Sequence, residues 1–220
     1  MKIVTFSGFA CNGKSTMIDV FSKIFGNEYN VWIFKETARL VDDTMAYFEE
    51  NLEIGDFEKN ILCSEVFCHD IMFEMKKKNE DGLILKDRSI FDVLAFMVLR
   101  NETDICNVLD FLRENYDGEK HLSNLYDEIL FIRGTSDENF ISSILEEDEL
   151  RKKTISNFFS LQDKFEEVWK RIVKTYEEET EKSLNVKVFS HPHESNLTMW
   201  LIYANICSLL GKKSNFVKEF

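Results

Sequence analysis

The sequence predicts an α/β fold, a parallel sheet of five strands with helices on both faces. Three observations carry that prediction. Short apolar, β-prone runs alternate with longer stretches of helical period. The run "GLILKD" at 82–87 has the composition of a strand covered on both sides. A single Pro in 220 residues leaves the intervening helices uninterrupted.

The elements follow in order. Residues 3–7 form a short apolar run that reads as the first strand, and 15–25 place Met17, Val20, Phe21, Ile24 and Phe25 at helical spacing. "NVWIF" at 30–34 reads as the second strand, followed by helical stretches over 37–51 and 57–78. The third strand is 82–87, after which "IFDVLAFMVLR" returns to helical period. "DEILFI", ending at Ile132, and "NVKVF", ending at Phe189, complete the five. Between these last two lies a charged region, "EEDELRKK" at 146–153 and the stretch after it, which reads as a solvated amphipathic helix.

Composition sets the bounds. A chain of this length, 44% apolar with twenty Phe, can bury one sizeable core. With no internal repeat and no linker, residues 1–220 are expected to form one domain. The balance of Lys+Arg 27 against Asp+Glu 40 gives −13, a field that repels a long polyanion but leaves room for a pocket holding one nucleotide. The five cysteines, at 11, 63, 68, 106 and 207, form no CxxC pair, which argues against zinc or a redox centre and for a reducing, cytoplasmic setting. No apolar run approaches the roughly 18 residues of a membrane span. Apolar helix faces fit a core or a homodimer interface equally well.

One motif carries chemistry. Gly8, Gly13, Lys14 and Ser15 satisfy GxxxxGK[ST] where the first strand ends and the first helix begins. Glycines let such a loop turn tightly and aim backbone N–H groups at phosphate, and the helix N-terminus adds partial positive charge. Asn12 and Cys11 fill the variable positions, and Thr16 follows in the first helical turn. Lys14 is placed to reach the β- and γ-phosphates, and the Ser15 hydroxyl to ligate Mg²⁺. The fold class thereby narrows to a three-layer P-loop NTPase.

In open α/β sheets ligands collect beyond the carboxyl ends of the strands. There the sequence puts "KETAR" at 35–39 and "KDRS" at 86–89, bringing Glu36, Arg39, Asp87 and Arg88 toward one crevice. Glu36 and Arg39, three apart, equally fit an ordinary helix-turn pair. Asp92 reads as a helix-surface residue of secondary interest.

"SGFACNGKST", "KETAR" and "KDRSIFD", in this order, resemble the P-loop small-molecule kinases: the deoxynucleoside kinases, thymidylate kinase and the ribosylnicotinamide-kinase-like group. The likeness covers roughly residues 1–100 well and the remainder in outline. It implies a phosphotransferase using ATP and Mg²⁺ on a nucleoside, a nucleoside monophosphate or a similar small acceptor. Within that resemblance Glu36 is a base for an acceptor hydroxyl, Asp87 holds magnesium, and Arg39 and Arg88 grip acceptor oxygens or neutralise developing charge. It also implies a lid near 146–155, with Arg151 as its arginine. In "SHPH" at 190–193, His191 and Pro192 fall where relatives form part of the adenine pocket; two exposed loop imidazoles are the alternative.

Rival readings are a P-loop ATPase without a small acceptor and a kinase of a modified base or end in DNA. A GTPase switch needs an N-K-x-D element, and the sequence has none.

Overall fold

The protein is described by a computed structural model covering residues 1–37, 55–78, 81–100, 103–147, 158–195 and 197–212. The chain runs β1 (Lys2–Ser7), α1 (Lys14–Gly26), β2 (Val31–Phe34), α2 (Gly55–Lys77), β3 (Leu83–Asp87) and α3 (Ile90–Leu99). It continues through α4 (Ile105–Asn115), a 3₁₀ turn (Gly118–Lys120), α5 (Leu122–Leu125), β4 (Glu128–Ile132), α6 (Glu138–Glu147), α7 (Phe158–Thr180), β5 (Val186–Phe189) and α8 (Leu197–Leu209). All five expected strands are present, parallel, in the order β2-β3-β1-β4-β5. The helix expected over 37–51 lies outside the described residues beyond Thr37.

Strand burial explains this order. β1, β3 and β4 are buried almost throughout, while β2 and β5, at the edges, are only partly covered. Successive side chains point to opposite faces. Val4, Phe6, Leu85, Leu130 and Ile132 therefore pack on one side with α1 and α8, whereas Ile3, Ile84, Ile129 and Phe131 pack on the other with the remaining helices. The result is three layers, helix on sheet on helix.

From Phe158 on, the charged stretch is an amphipathic helix, while residues 148–157 lie outside the described residues. In α7 the residues Phe165, Trp169, Ile172, Val173 and Tyr176 form its buried stripe, at helical spacing. Trp169 meets Phe131 of β4 at 4.5 Å between ring centroids, and Tyr176 meets Phe91 of α3 at 5.7 Å. This packing fixes α3, and with it the β3–α3 turn, against the sheet.

The topology also locates the crevice. From β1 the chain crosses to the β2 edge, and from β3 it crosses to the opposite side, so the carboxyl ends of β1 and β3 flank a switch point. The glycine loop follows β1 and Asp87 and Arg88 stand at the end of β3, while Glu36 follows the edge strand β2 and His191 and Pro192 follow β5.

Candidate active site

The loop after β1 is shaped by two contacts with β4. Gly8 has φ 132, and a Cβ there would lie 2.3 Å from the Ile132 carbonyl oxygen, so only glycine fits. The Asn12 amide donates to that same oxygen at 2.7 Å. Gly13, at φ 72, turns the chain into α1. The first N–H groups of a helix have no intrahelical acceptor, and here Gly13, Lys14, Ser15 and Thr16 line a cleft of about 630 Å³.

Lys14 is almost wholly buried beneath this loop, its Nζ donating to the Phe9 carbonyl at 2.6 Å. Burial first, and the neighbouring Arg88 charge second, lower its pKa to about 8. A bound anion would oppose both effects.

Asp92 corrects the reading from sequence. It is fully buried rather than on the surface of α3. Its carboxylate accepts from the Gly8 N–H and the Ser7 hydroxyl, both at 2.7 Å, and from the N–H and hydroxyl of Ser89 at 2.7 and 2.6 Å. One side chain thus ties the start of the glycine loop to the turn before α3. The pattern S-x-x-D at 89–92 is a capping box, which was the available sequence signal.

Around the rim, Ser15 Oγ donates to Asp87 Oδ2 at 2.5 Å, joining the head of α1 to the tip of β3. The other oxygen, Asp87 Oδ1, is buried without a hydrogen-bond partner among the described residues. Glu36 accepts from Arg88 Nε, and Arg88 Nη1 donates to the Gly8 carbonyl at 3.1 Å. Arg88 lies with its guanidinium 5.0 Å from the Phe96 ring centroid. Burial works against its charge, yet Glu36, Asp92 and Asp87 hold its pKa above the ordinary arginine value. Its backbone is left-handed, φ 72, a conformation that costs a side chain on the order of 1 kcal/mol. Asp87 and Arg88 are therefore built into the cleft and are not a surface pair.

The opposite wall comes from α6 and the turn after β5. His191 is buried with Nε2 3.2 Å from the Cys11 carbonyl oxygen, and burial lowers its pKa. His193 is partly exposed, stacks on Phe140 at 4.1 Å and meets Asp137 at 2.8 Å. Pro192 lines the cleft beside them. The two imidazoles thus differ, and only His193 resembles the exposed alternative. Arg39 and Arg151 lie outside the described residues, as does the lid segment beyond Glu147.

The structure brings together Gly8, Asn12, Gly13, Lys14, Ser15, Thr16, Glu36, Asp87, Arg88, His191 and Pro192. Sequence reading missed a buried polar cluster behind Glu36, comprising Thr37, Glu65, His69 and Lys86. Its signal was Lys86, a cation inside a strand covered on both faces, which requires a buried partner.

Among solved structures, the chain resembles deoxyadenosine kinase from M. mycoides with bound dATP, with a TM-score of 0.60 at 17% identity. That alignment covers 94% of this chain and 99% of the other. The same enzyme with bound dCTP aligns with a TM-score of 0.53 at 21% identity, over 94% and 100% of the two chains. Thymidylate kinase from Ehrlichia chaffeensis aligns with a TM-score of 0.58 at 12% identity, over 93% and 97%. No protein-family model and no curated protein matches the sequence. The chain has the three-layer α/β P-loop fold that these kinases share.

Proposed function

We propose that the protein is an ATP- and magnesium-dependent phosphotransferase, one domain acting on a nucleoside, a nucleoside monophosphate or a related small acceptor. The observation that carries this reading is convergence. The glycine loop with Lys14, the Ser15–Asp87 pair and the Glu36–Arg88 pair all border one cleft. A fold shared with deoxyadenosine and thymidylate kinases over nearly the whole chain supports it.

Ser15 and Asp87 fit a magnesium site, because Asp87 Oδ1 is a buried oxygen without a donor beside a second hard oxygen. No group of three or more His, Cys, Asp or Glu among the described residues could hold a metal alone, and phosphate and water oxygens would complete the shell of an ion held by Ser15 and Asp87. Magnesium held there would supply charge neutralisation on the donor's phosphates. The protein's own part is electrostatic and positional. Lys14, released from the Phe9 carbonyl, pairs with the phosphates, and the head of α1 offers its N–H groups. Arg88 steadies the transferred group, and Glu36 takes the proton of an attacking hydroxyl. His191 and Pro192 border the space for the donor's base.

The test is to incubate nucleosides and nucleoside monophosphates with ATP and Mg²⁺ and follow the phosphate. One acceptor class gains phosphate on this account. Phosphate released at one rate with or without every acceptor favours an ATPase instead. Glu36→Gln then separates acceptors: a severe loss marks a hydroxyl, a mild loss a phosphate, which needs no base.

A further inference from the structure

Behind Glu36 lies the buried cluster that the phosphate-binding motifs do not account for. Glu65, on α2, is fully buried and accepts from the Thr37 hydroxyl with Oε1. Lys86 Nζ, also fully buried, lies 3.1 Å from Oε1 and 2.8 Å from Oε2. His69, one turn along α2, approaches Glu65 at 3.4 Å, and its two ring nitrogens contact the hydroxyls of Tyr116 at 2.7 Å and Tyr126 at 2.8 Å. Burial, and then the Lys86 charge, hold the His69 pKa well below its ordinary value.

Two features bear on what this cluster does. An isolated buried ion pair is a weak source of stability, since well-packed apolar residues of similar volume often serve as well or better. The two residues that Glu65 holds also sit next to site residues in the chain. Thr37 follows Glu36, and Lys86 precedes Asp87 and Arg88. β2 and β3 are hydrogen-bonded neighbours up to Phe34 and Lys86, where their strand pairing ends. Glu65 bridges them there.

We infer that Glu65, by gripping Thr37 and Lys86 at once, is a positioning residue that sets the Glu36 carboxylate against Arg88 for proton transfer. The inference rests on the kinase reading of Glu36. Glu65 touches neither substrate nor phosphate; it fixes the backbone on which Glu36 stands. Displacing a reacting carboxylate by about 1 Å costs on the order of a hundredfold in rate.

Thr37→Val tests this most gently, because it removes one hydroxyl and keeps shape and volume. With an acceptor found as above, turnover is expected to fall about tenfold to a hundredfold, with KM for ATP and the ATP-induced rise in Tm unchanged. In a Glu36→Gln background the same substitution changes nothing further, because the carboxylate it positions is gone. Thr37→Ser, which restores the hydroxyl, restores the rate. An equal loss in both backgrounds, or no loss in either, overturns the inference while leaving the kinase reading intact. An unchanged rate for Glu36→Gln alone overturns the reading of Glu36 and this inference together. The paired variant Glu65→Leu/Lys86→Met is expected to keep its Tm and lose turnover; lost Tm with full turnover overturns the inference. A crystal structure of Thr37→Val needs no acceptor: Glu36 displaced from Arg88 supports the inference, and an unmoved carboxylate refutes it.

Discussion

The two halves of the cleft are held by different kinds of contact. On the proposed donor side the loop at 8–13 is pinned through short links: Gly8 and Asn12 to the end of β4, and Asp92 to Gly8, Ser7 and Ser89. Apart from Asp92, these are backbone or neutral partners, and the geometry follows from glycine and capping chemistry. On the proposed acceptor side, Glu36 pairs with Arg88, and a buried charge pair from α2 and β3 lies behind them. A turn motif can fix a phosphate cradle locally, whereas a carboxylate on a loop, proposed here to accept a proton, needs long-range support.

The largest effect belongs to the donor side. Lys14→Ala is expected to reduce transfer on the order of 10³-fold while circular dichroism remains native. Unchanged turnover would mean that the lysine does not face phosphate. Glu36→Gln comes next, about 10²-fold on a hydroxyl acceptor, with ATP affinity retained in calorimetric titration. If that affinity falls with the rate, the division into two halves fails. Asp92→Asn sharpens the contrast through stability, because it weakens a buried carboxylate with four donors. A loss of about 2 kcal/mol in denaturant unfolding is expected, with ATP affinity reduced more than the response to Glu36→Gln.

The last prediction is a pH dependence confined to the proposed donor side. Lys14 has a pKa of about 8 in the fold against an ordinary value of 10.5. Between these values the unfolded chain binds more protons, so stability of the unliganded protein rises with pH across that window. Subtracting the profile of Lys14→Met isolates this rise. ATP affinity moves the other way and declines above pH of about 8, since phosphate favours the charged lysine. A difference profile that is flat over that window contradicts the burial of Lys14.

The same contrast decides what was legible in one dimension. The five strands and the GxxxxGK[ST] turn follow from apolar runs and glycine positions, which are local properties. Ser15 and Asp87, read as one metal pair, meet across 72 residues because the strand order brings β1 and β3 together. Asp92 was read as exposed because Ser7 and Gly8, which bury it, precede it by more than eighty residues. For His191, where an exposed loop imidazole was the alternative, the contact that buries it is likewise distant, a carbonyl 180 residues away. Lys86 stood out of place within "LILKD", yet nothing nearby identified Glu65 as the residue that neutralises it.

A bisubstrate ligand measures directly whether donor and acceptor meet in one cleft. Adenosine joined to a nucleoside through a polyphosphate chain should bind, with magnesium, more tightly than ATP alone. Its phosphates should lie along residues 8–16 and its nucleoside against Glu36 and Arg88. Affinity no better than that of ATP, or a nucleoside end bound away from Glu36 and Arg88, would contradict a shared cleft.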